Sequence, residues 1–73
     1  MKIIVRPVGL IRRYVREEEL DVPAGFTSRG LVRFLKIPGE LKMVSLVNGR
    51  KQDLDEPLRE GDEVRLITLL TGG

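Results

Sequence analysis

The sequence predicts an α+β fold in which a mixed sheet of four to five strands carries one main helix on one face. Three observations support this class. Short runs of β-branched and apolar residues lie in both halves of the chain, one stretch has the apolar spacing of a helix, and Gly, Pro and Asn separate these segments. With 73 residues, the chain forms a single domain around a small core.

The first two strands are predicted near the N-terminus. Lys2 to Val8 is rich in β-branched residues, and Pro7 indicates that this strand has a free edge or ends there. Gly9 to Arg16 is predicted as a turn or loop, and Glu18 to Val22 as the second strand. We expect the two strands to pair as an antiparallel hairpin.

The main helix is predicted within residues 26–36. Thr27 is its expected N-cap, because the hydroxyl can accept a hydrogen bond from a free N–H of the first turn. Leu31, Phe34 and Leu35 recur at i, i+3 and i+4, so we expect them to share the face that packs on the sheet.

The second half of the chain predicts three more strands. Met43 to Val47 is the third, and the Asn48-Gly49 pair that follows is a strong tight-turn signal. Lys51 to Leu54 can pair back as a short strand, and Asp55 to Leu58 is predicted as a single helical turn. Glu63 to Leu70 is the last and most apolar strand.

The resulting order, β-β-α-β-β-β, is that of a β-grasp sheet with the first and last strands as parallel neighbours in the middle. We assign residues 1–70 to this domain and residues 71–73 to a flexible C-terminal tail. The apolar residues expected in the core are Ile3, Val5, Leu20, Val22, Leu31, Leu35, Val47, Leu58, Val64 and Leu66.

The amino-acid composition excludes most mechanisms in which a side chain acts as the catalyst. The chain has no Cys and no His, so it offers no thiol nucleophile, no imidazole base and no Ser-His-Asp triad. We expect a protein that is not an enzyme and that binds no metal or cofactor of its own. No apolar run approaches the ~20 residues of a membrane span, and the N-terminus lacks a signal-peptide pattern, so we expect a cytoplasmic protein.

Basic residues cluster in the first hairpin, although the net charge is only +2. Arg6, Arg12, Arg13 and Arg16 are followed at once by Glu17 to Glu19. One interpretation is a solvated hairpin of mixed charge, because long-range steering needs clusters of a single sign. The alternatives are a docking patch for an acidic partner and, for the protein as a whole, a β-grasp RNA-binding module.

The sequence ends in Thr71-Gly72-Gly73. Residues without Cβ form a thin backbone that can thread a narrow channel, so that only the terminal carboxylate reaches a partner's reaction centre. ATP can activate a carboxylate as an acyl-adenylate, which then gives a thiocarboxylate with a sulfur nucleophile or an isopeptide with a lysine amine. An ordinary flexible end is the alternative.

Three motifs in order make the whole chain resemble the ubiquitin-like sulfur carriers of the MoaD/ThiS family. They are Val47-Asn48-Gly49, the segment from Leu58 to Val64 that contains Gly61-Asp62, and the terminal Gly72-Gly73. The family includes the small subunit of molybdopterin synthase and the sulfur carrier of thiamine biosynthesis. The resemblance implies a ubiquitin-like β-grasp fold in which Gly73 bears the adenylate and then the thiocarboxylate, while Gly72 and Thr71 thread the partner's channel.

The resemblance also implies partners. A ubiquitin-activating-type adenylyltransferase would use ATP and Mg²⁺, a cysteine persulfide protein would donate the sulfur, and the acceptor would be the molybdopterin synthase large subunit or thiazole synthase. A ubiquitin-like modifier that is joined to lysines through the same terminus is the nearest alternative.

A partner would need a surface beside the tail. Leu46, Ile67 and Leu69 are expected to face away from the helix and to form an apolar docking patch, although ordinary exposed aliphatic residues are the alternative. The basic residues expected at its rim are Arg6, Arg50 and Arg65.

Overall fold

The computed structural model describes residues 1–37 and 42–68 and contains one mixed sheet. Its strands are β1 (Lys2–Val8), β2 (Glu18–Asp21), β3 (Met43–Val47), β4 (Arg50–Gln52) and β5 (Glu63–Thr68). The helix α1 (Ser28–Phe34) follows β2, and a 3₁₀ helix (Gly9–Arg13) follows β1. The strand order across the sheet is β2-β1-β5-β3-β4.

The two central strands are the first and the last, and they run parallel, in register from Ile4 opposite Glu63 to Val8 opposite Ile67. β2 pairs antiparallel with β1, and β3 pairs antiparallel with both β5 and β4. The predicted ubiquitin-like β-grasp is therefore confirmed. β2 covers β1 only as far as Val5, so Pro7 lies where one edge of β1 has no strand beside it and a missing N–H costs nothing.

The core lies between the sheet and α1. Its buried apolar residues are Ile3, Val5, Ile11, Val15, Val22, Leu31, Ile37, Val47, Leu58, Val64 and Leu66. Of the predicted core residues, only Leu20 and Leu35 fall outside this set, and both are half-buried against it. Ile11, Val15 and Ile37 are additions that the sequence pattern does not single out.

The predicted loop after β1 is wrong in part, because its first half forms the 3₁₀ helix. The N–H groups of Tyr14 and Val15 both donate to the Ile11 carbonyl, at 2.9 and 3.0 Å. Ile11 and Val15 are both buried, so this turn is fastened to the core at two points. An apolar pair four residues apart, surrounded by arginines, is too short a pattern to indicate a helix.

The N-cap of α1 is as predicted, because the Gly30 N–H donates to Thr27 Oγ1 at 3.0 Å. The predicted apolar face is wrong at Phe34, whose exposure is 63%. The helix ends there: Lys36 adopts a φ of 57°, and the Ile37 N–H donates to the Val32 carbonyl at 3.2 Å. This helix-ending turn places the Ile37 side chain in the core. Ile37, and not Phe34, therefore makes the apolar contact with the core at the end of α1.

The helical turn predicted over Asp55 to Leu58 is also wrong, since the chain makes a reverse turn there. The Glu56 N–H donates to the Asp53 carbonyl at 3.1 Å, and the Asp55 N–H donates to Asp53 Oδ1 at 2.9 Å. A side chain that caps its own turn competes with helix formation. The Leu58 N–H then donates to the Phe26 carbonyl at 2.7 Å, which brings Leu58 into the core.

Candidate functional site

The candidate site is the sheet face away from α1, next to the end of β5. In the antiparallel register, Val44 lies opposite Ile67 and Leu46 lies opposite Arg65. Because directly opposed residues project to the same side of a sheet, these four share one face, and the residues between them form the core. The predicted orientation of Leu46, Ile67 and Arg65 agrees with this register.

β1 extends this face on the other side of β5. In the parallel register Arg6 lies beside Arg65 and Val8 beside Ile67, and Val8 is 39% exposed. We call Val8, Val44, Leu46 and Ile67 the outer apolar patch; the last three are half-buried. Sequence reasoning missed Val8, because its place beside Ile67 depends on the pairing register between β1 and β5. It also missed Val44, although alternation along β3 puts Val44 on the same face as Leu46.

The charged residues next to the patch are paired with each other. Glu63 accepts contacts from two arginines, with Arg6 Nη1 at 3.3 Å from Oε2 and Arg65 Nε at 3.2 Å from Oε1. Arg6 Nε also lies 3.5 Å from Glu17 Oε1. A predicted rim residue, Arg50, is on the other face: the two-residue turn after β3 sets it directly opposite the buried Val47.

The remaining motif residues hold the start of β5 in place. Asn48 and Gly49 have φ values of 52° and 85°, the left-handed pair that a two-residue hairpin requires. Asn48 Nδ2 donates to Asp62 Oδ1 at 2.9 Å, and the Glu63 N–H donates to Asn48 Oδ1 at 3.0 Å. Asp62 Oδ2 accepts the Arg59 N–H at 2.8 Å. Asp62 therefore closes the turn before β5, and its carboxylate serves the fold.

The shortest ion pair among the described residues joins α1 to the turn after β4. Arg29 Nε and Nη2 donate to the two carboxylate oxygens of Asp55 at 2.6 and 3.2 Å. This hydrogen bonding lowers the pKa of Asp55 and raises that of Arg29. Both groups are exposed, so the pair adds little to stability.

Two properties of the described part of the chain bear on other functions. Within residues 1–37 and 42–68, no three carboxylates gather where they could hold a metal ion. Over the same residues, no helix has both the length and the apolar character needed to cross a membrane.

Four predicted site residues lie outside the described residues: Leu69, Thr71, Gly72 and Gly73. The predicted extension of the last strand to Leu70, and with it the division between domain and tail, also falls there. Their assignments stay predictions.

A family model, that of the ThiS family, matches residues 5–73. The chain belongs to the ThiS family. The match begins within β1 and runs to the last glycine, so it includes every residue of the outer apolar patch and the Gly72-Gly73 pair. The resemblance to the MoaD/ThiS family is thereby confirmed. Comparison with curated protein sequences gives no match.

Three solved structures are similar to this chain. A Pyrococcus furiosus protein assigned as molybdopterin converting factor, subunit 1, is 26% identical with a TM-score of 0.72, over 94% of this chain and 98% of that one. Caldiarchaeum subterraneum ubiquitin is 26% identical with a TM-score of 0.64, over 100% and 98%. SAMP1 of Haloferax volcanii, at 19% identity, a TM-score of 0.72 and full coverage of both chains, shows the shared fold.

Membership of the ThiS family, together with the ubiquitin-like fold, gives the class of function. The chain is a sulfur carrier or a ubiquitin-like modifier. Small proteins of the ThiS family are carrier proteins rather than catalysts.

Proposed function

We propose that this chain is a sulfur carrier whose Gly73 carboxylate is adenylated by a ubiquitin-activating-type adenylyltransferase and then converted to a thiocarboxylate. The observation that carries the proposal is the placement of β5. This central strand, described to Thr68, lies beside the outer apolar patch, and the Gly72-Gly73 pair that the family match includes lies four and five residues further along the chain.

The chemistry requires no side chain of the carrier. A Gly73 carboxylate oxygen attacks the α-phosphorus of ATP, pyrophosphate leaves, and the partner's Mg²⁺ balances the phosphate charge. The outer sulfur of a cysteine persulfide on the donor protein then attacks the acyl carbon and expels AMP, which gives an acyl disulfide. A thiol of a partner protein cleaves the S–S bond, so the thiocarboxylate stays on Gly73 and the donor cysteine is left in a disulfide with that thiol. One oxygen of the carboxylate is thus exchanged for sulfur, which suits a chain without Cys or His.

The length of the tail fixes where a partner must bind. Five residues span at most roughly 17 Å when fully extended. The partner's reaction centre must therefore lie within that distance of Thr68, and its surface must cover the end of the sheet around β5. The outer apolar patch, with Leu69 as its predicted continuation and Arg65 at its rim, is the surface that such a partner meets first.

The sulfur acceptor would be a synthase. The ThiS family match favours thiazole synthase of thiamine biosynthesis, and the likeness to a protein assigned as molybdopterin converting factor, subunit 1, favours the molybdopterin synthase large subunit. In both cases the carrier is the protein that delivers sulfur, and the acceptor holds the precursor.

A second candidate is a protein modifier that forms an isopeptide bond with a lysine amine through the same adenylate. The 26% identity to an archaeal ubiquitin over the whole chain supports it. The two candidates share the first step and differ in the nucleophile that takes the acyl group.

The test is incubation with the cognate activating enzyme, ATP, Mg²⁺ and sulfide, followed by intact mass measurement. We expect a mass gain equal to the exchange of one oxygen for one sulfur, and pyrophosphate release that depends on the chain. A variant lacking Gly72 and Gly73 should show neither. Absence of both adenylate and thiocarboxylate from the wild-type chain contradicts the proposal, and conjugates to lysines without thiocarboxylate favour the modifier.

A further inference from the structure

The turn after β1 carries exposed basic residues and is fixed to the core by two buried side chains. Ile11 and Val15 are buried, and the hydrogen bond from the Val15 N–H to the Ile11 carbonyl, at 3.0 Å, closes the turn between them. Arg12, Arg13 and Arg16 are all exposed. We call these three arginines the basic turn. Tyr14, among them, is 52% exposed.

The basic turn is not neutralised by the described residues. Within 1–37 and 42–68, no carboxylate lies at ion-pair distance from Arg12, Arg13 or Arg16. Arg6, by contrast, contacts both Glu17 and Glu63. Three unpaired guanidinium groups within five residues thus form a local positive charge on a chain whose net charge is only +2.

A cleft of about 320 Å³ adjoins the basic turn. Pro7 and Val15 give it apolar lining, and Arg12 and Arg16 give it cationic lining. Its fifth lining residue, Glu17, is engaged by Arg6. A cleft with guanidinium donors and apolar walls suits a carboxylate side chain with its methylene stem, because arginine binds carboxylates through paired N–H donors.

The basic turn lies at the end of the sheet from which the tail leaves. β1 and β5 are parallel, with Val8 beside Ile67, so the chain emerges from both strands at the same end. The 3₁₀ helix that follows β1 packs against β5. A partner that covers the end of β5 at Ile67 and Thr68 therefore lies next to the basic turn.

We propose that the basic turn is a second docking site, which binds an acidic surface segment of the activating enzyme beside the channel that receives the tail. The inference rests on the proposed function, because that function supplies the enzyme. Arginine and tyrosine are the residues most enriched where protein interfaces gain their affinity.

The local charge pattern favours a protein over RNA as the occupant. Glu17, Glu18 and Glu19 follow the basic turn directly and are exposed, so they repel a continuous phosphate backbone. A protein surface can instead set acidic groups against the arginines and avoid the glutamates. A single tyrosine also gives no stacking platform for successive bases.

The test compares two triple charge reversals that change the net charge equally. R12E/R13E/R16E alters the basic turn, and R33E/R50E/R59E alters three exposed arginines elsewhere on the domain. Binding of the full-length variants to the cognate activating enzyme is measured by surface plasmon resonance at several salt concentrations. Circular dichroism verifies that each variant is folded. If R12E/R13E/R16E fails to fold, R12Q/R13Q/R16Q replaces it in the binding measurement.

We expect the basic-turn variant to bind about tenfold or more weakly at low salt, chiefly through slower association, and to lose salt dependence. The control variant should stay within about twofold of wild type at an ionic strength of about 0.15 M, where the Debye length of about 8 Å lets only local charge reach the interface. Equal losses in both variants, or wild-type affinity in the basic-turn variant, overturn the inference while leaving wild-type adenylation, and hence the proposed function, intact.

Two further outcomes are decisive. If the wild-type chain neither binds the enzyme nor is adenylated, the proposed function fails and the docking site fails with it. If the basic-turn variant keeps its affinity for the enzyme but loses affinity for total tRNA, the site is an RNA site and the inference is wrong.

Discussion

Asn48 uses both its backbone and its side chain to join the turn after β3 to the start of β5. Its left-handed φ of 52° allows the two-residue hairpin, and its amide contacts Asp62 and the Glu63 N–H. Asp62 is nearly buried, so its carboxylate depends on these donors. The motif residues that first indicate the family are thus explained by the geometry of a turn.

The two contributions of Asn48 can be separated by two substitutions. Asn48→Gly keeps the left-handed conformation but loses the amide hydrogen bonds, and we expect it to lower the free energy of unfolding by about 1–2 kcal/mol. Asn48→Ala also strains the backbone, so it should cost about 1 kcal/mol more. Urea unfolding of both variants measures the difference. Equal losses would show that the left-handed φ adds no strain.

At the scale of elements, the end of α1 shows how a short helix is stopped. Lys36 takes the left-handed position that glycine usually fills, and the Ile37 N–H reaches back to the Val32 carbonyl. The helix is only seven residues long, so this closing turn decides which apolar residue enters the core. Ile37 is buried and Phe34 is left exposed.

Lys36→Gly should therefore stabilise the protein, by about 1 kcal/mol, because glycine adopts a positive φ without a Cβ clash. A matched glycine inside the helix, Arg33→Gly, should instead destabilise it by about 1 kcal/mol. Thermal and urea unfolding of the two variants measure whether the free energy of unfolding rises in Lys36→Gly and falls in Arg33→Gly. A loss of stability in Lys36→Gly would mean that the lysine side chain, and not the backbone, sustains this turn.

The sequence predicts regular elements better than it predicts the segments between them. Alternation along β3 and β5 is enough to orient Leu46 and Ile67, because a strand has a fixed period of two. The same alternation also places Val44, two residues before Leu46, on that face. The positions of Val8 and Arg50 depend instead on which residues are paired across strands, and only the fold supplies that register. The 3₁₀ helix is missed because two apolar residues are its whole signal.

For the whole molecule, the important arrangement is that two different surfaces adjoin one strand end. The outer apolar patch includes β5 residues, and the 3₁₀ helix that carries part of the basic turn packs against β5. Helix-side residues such as Phe34 are separated from this region by the sheet. This separation makes a matched test of docking possible.

Leu46→Lys should impair activation by the adenylyltransferase, because it puts a charge in the outer apolar patch. Phe34→Lys, which changes a more exposed apolar residue on the helix, should not. We expect KM for the carrier to rise about tenfold or more in the first variant with kcat little changed, and no effect in the second. Equal kinetics in the two variants would show that the patch is not a docking surface.

The position of β5 also has a mechanical consequence. A channel that grips the tail pulls on the end of a strand that is hydrogen-bonded along both sides, to β1 and to β3. Tension along the strand loads those bonds in shear, so many must yield together before the strand slips. Under the proposed function, this arrangement resists unravelling of the sheet when one enzyme takes up the tail, releases it and passes the chain to the next.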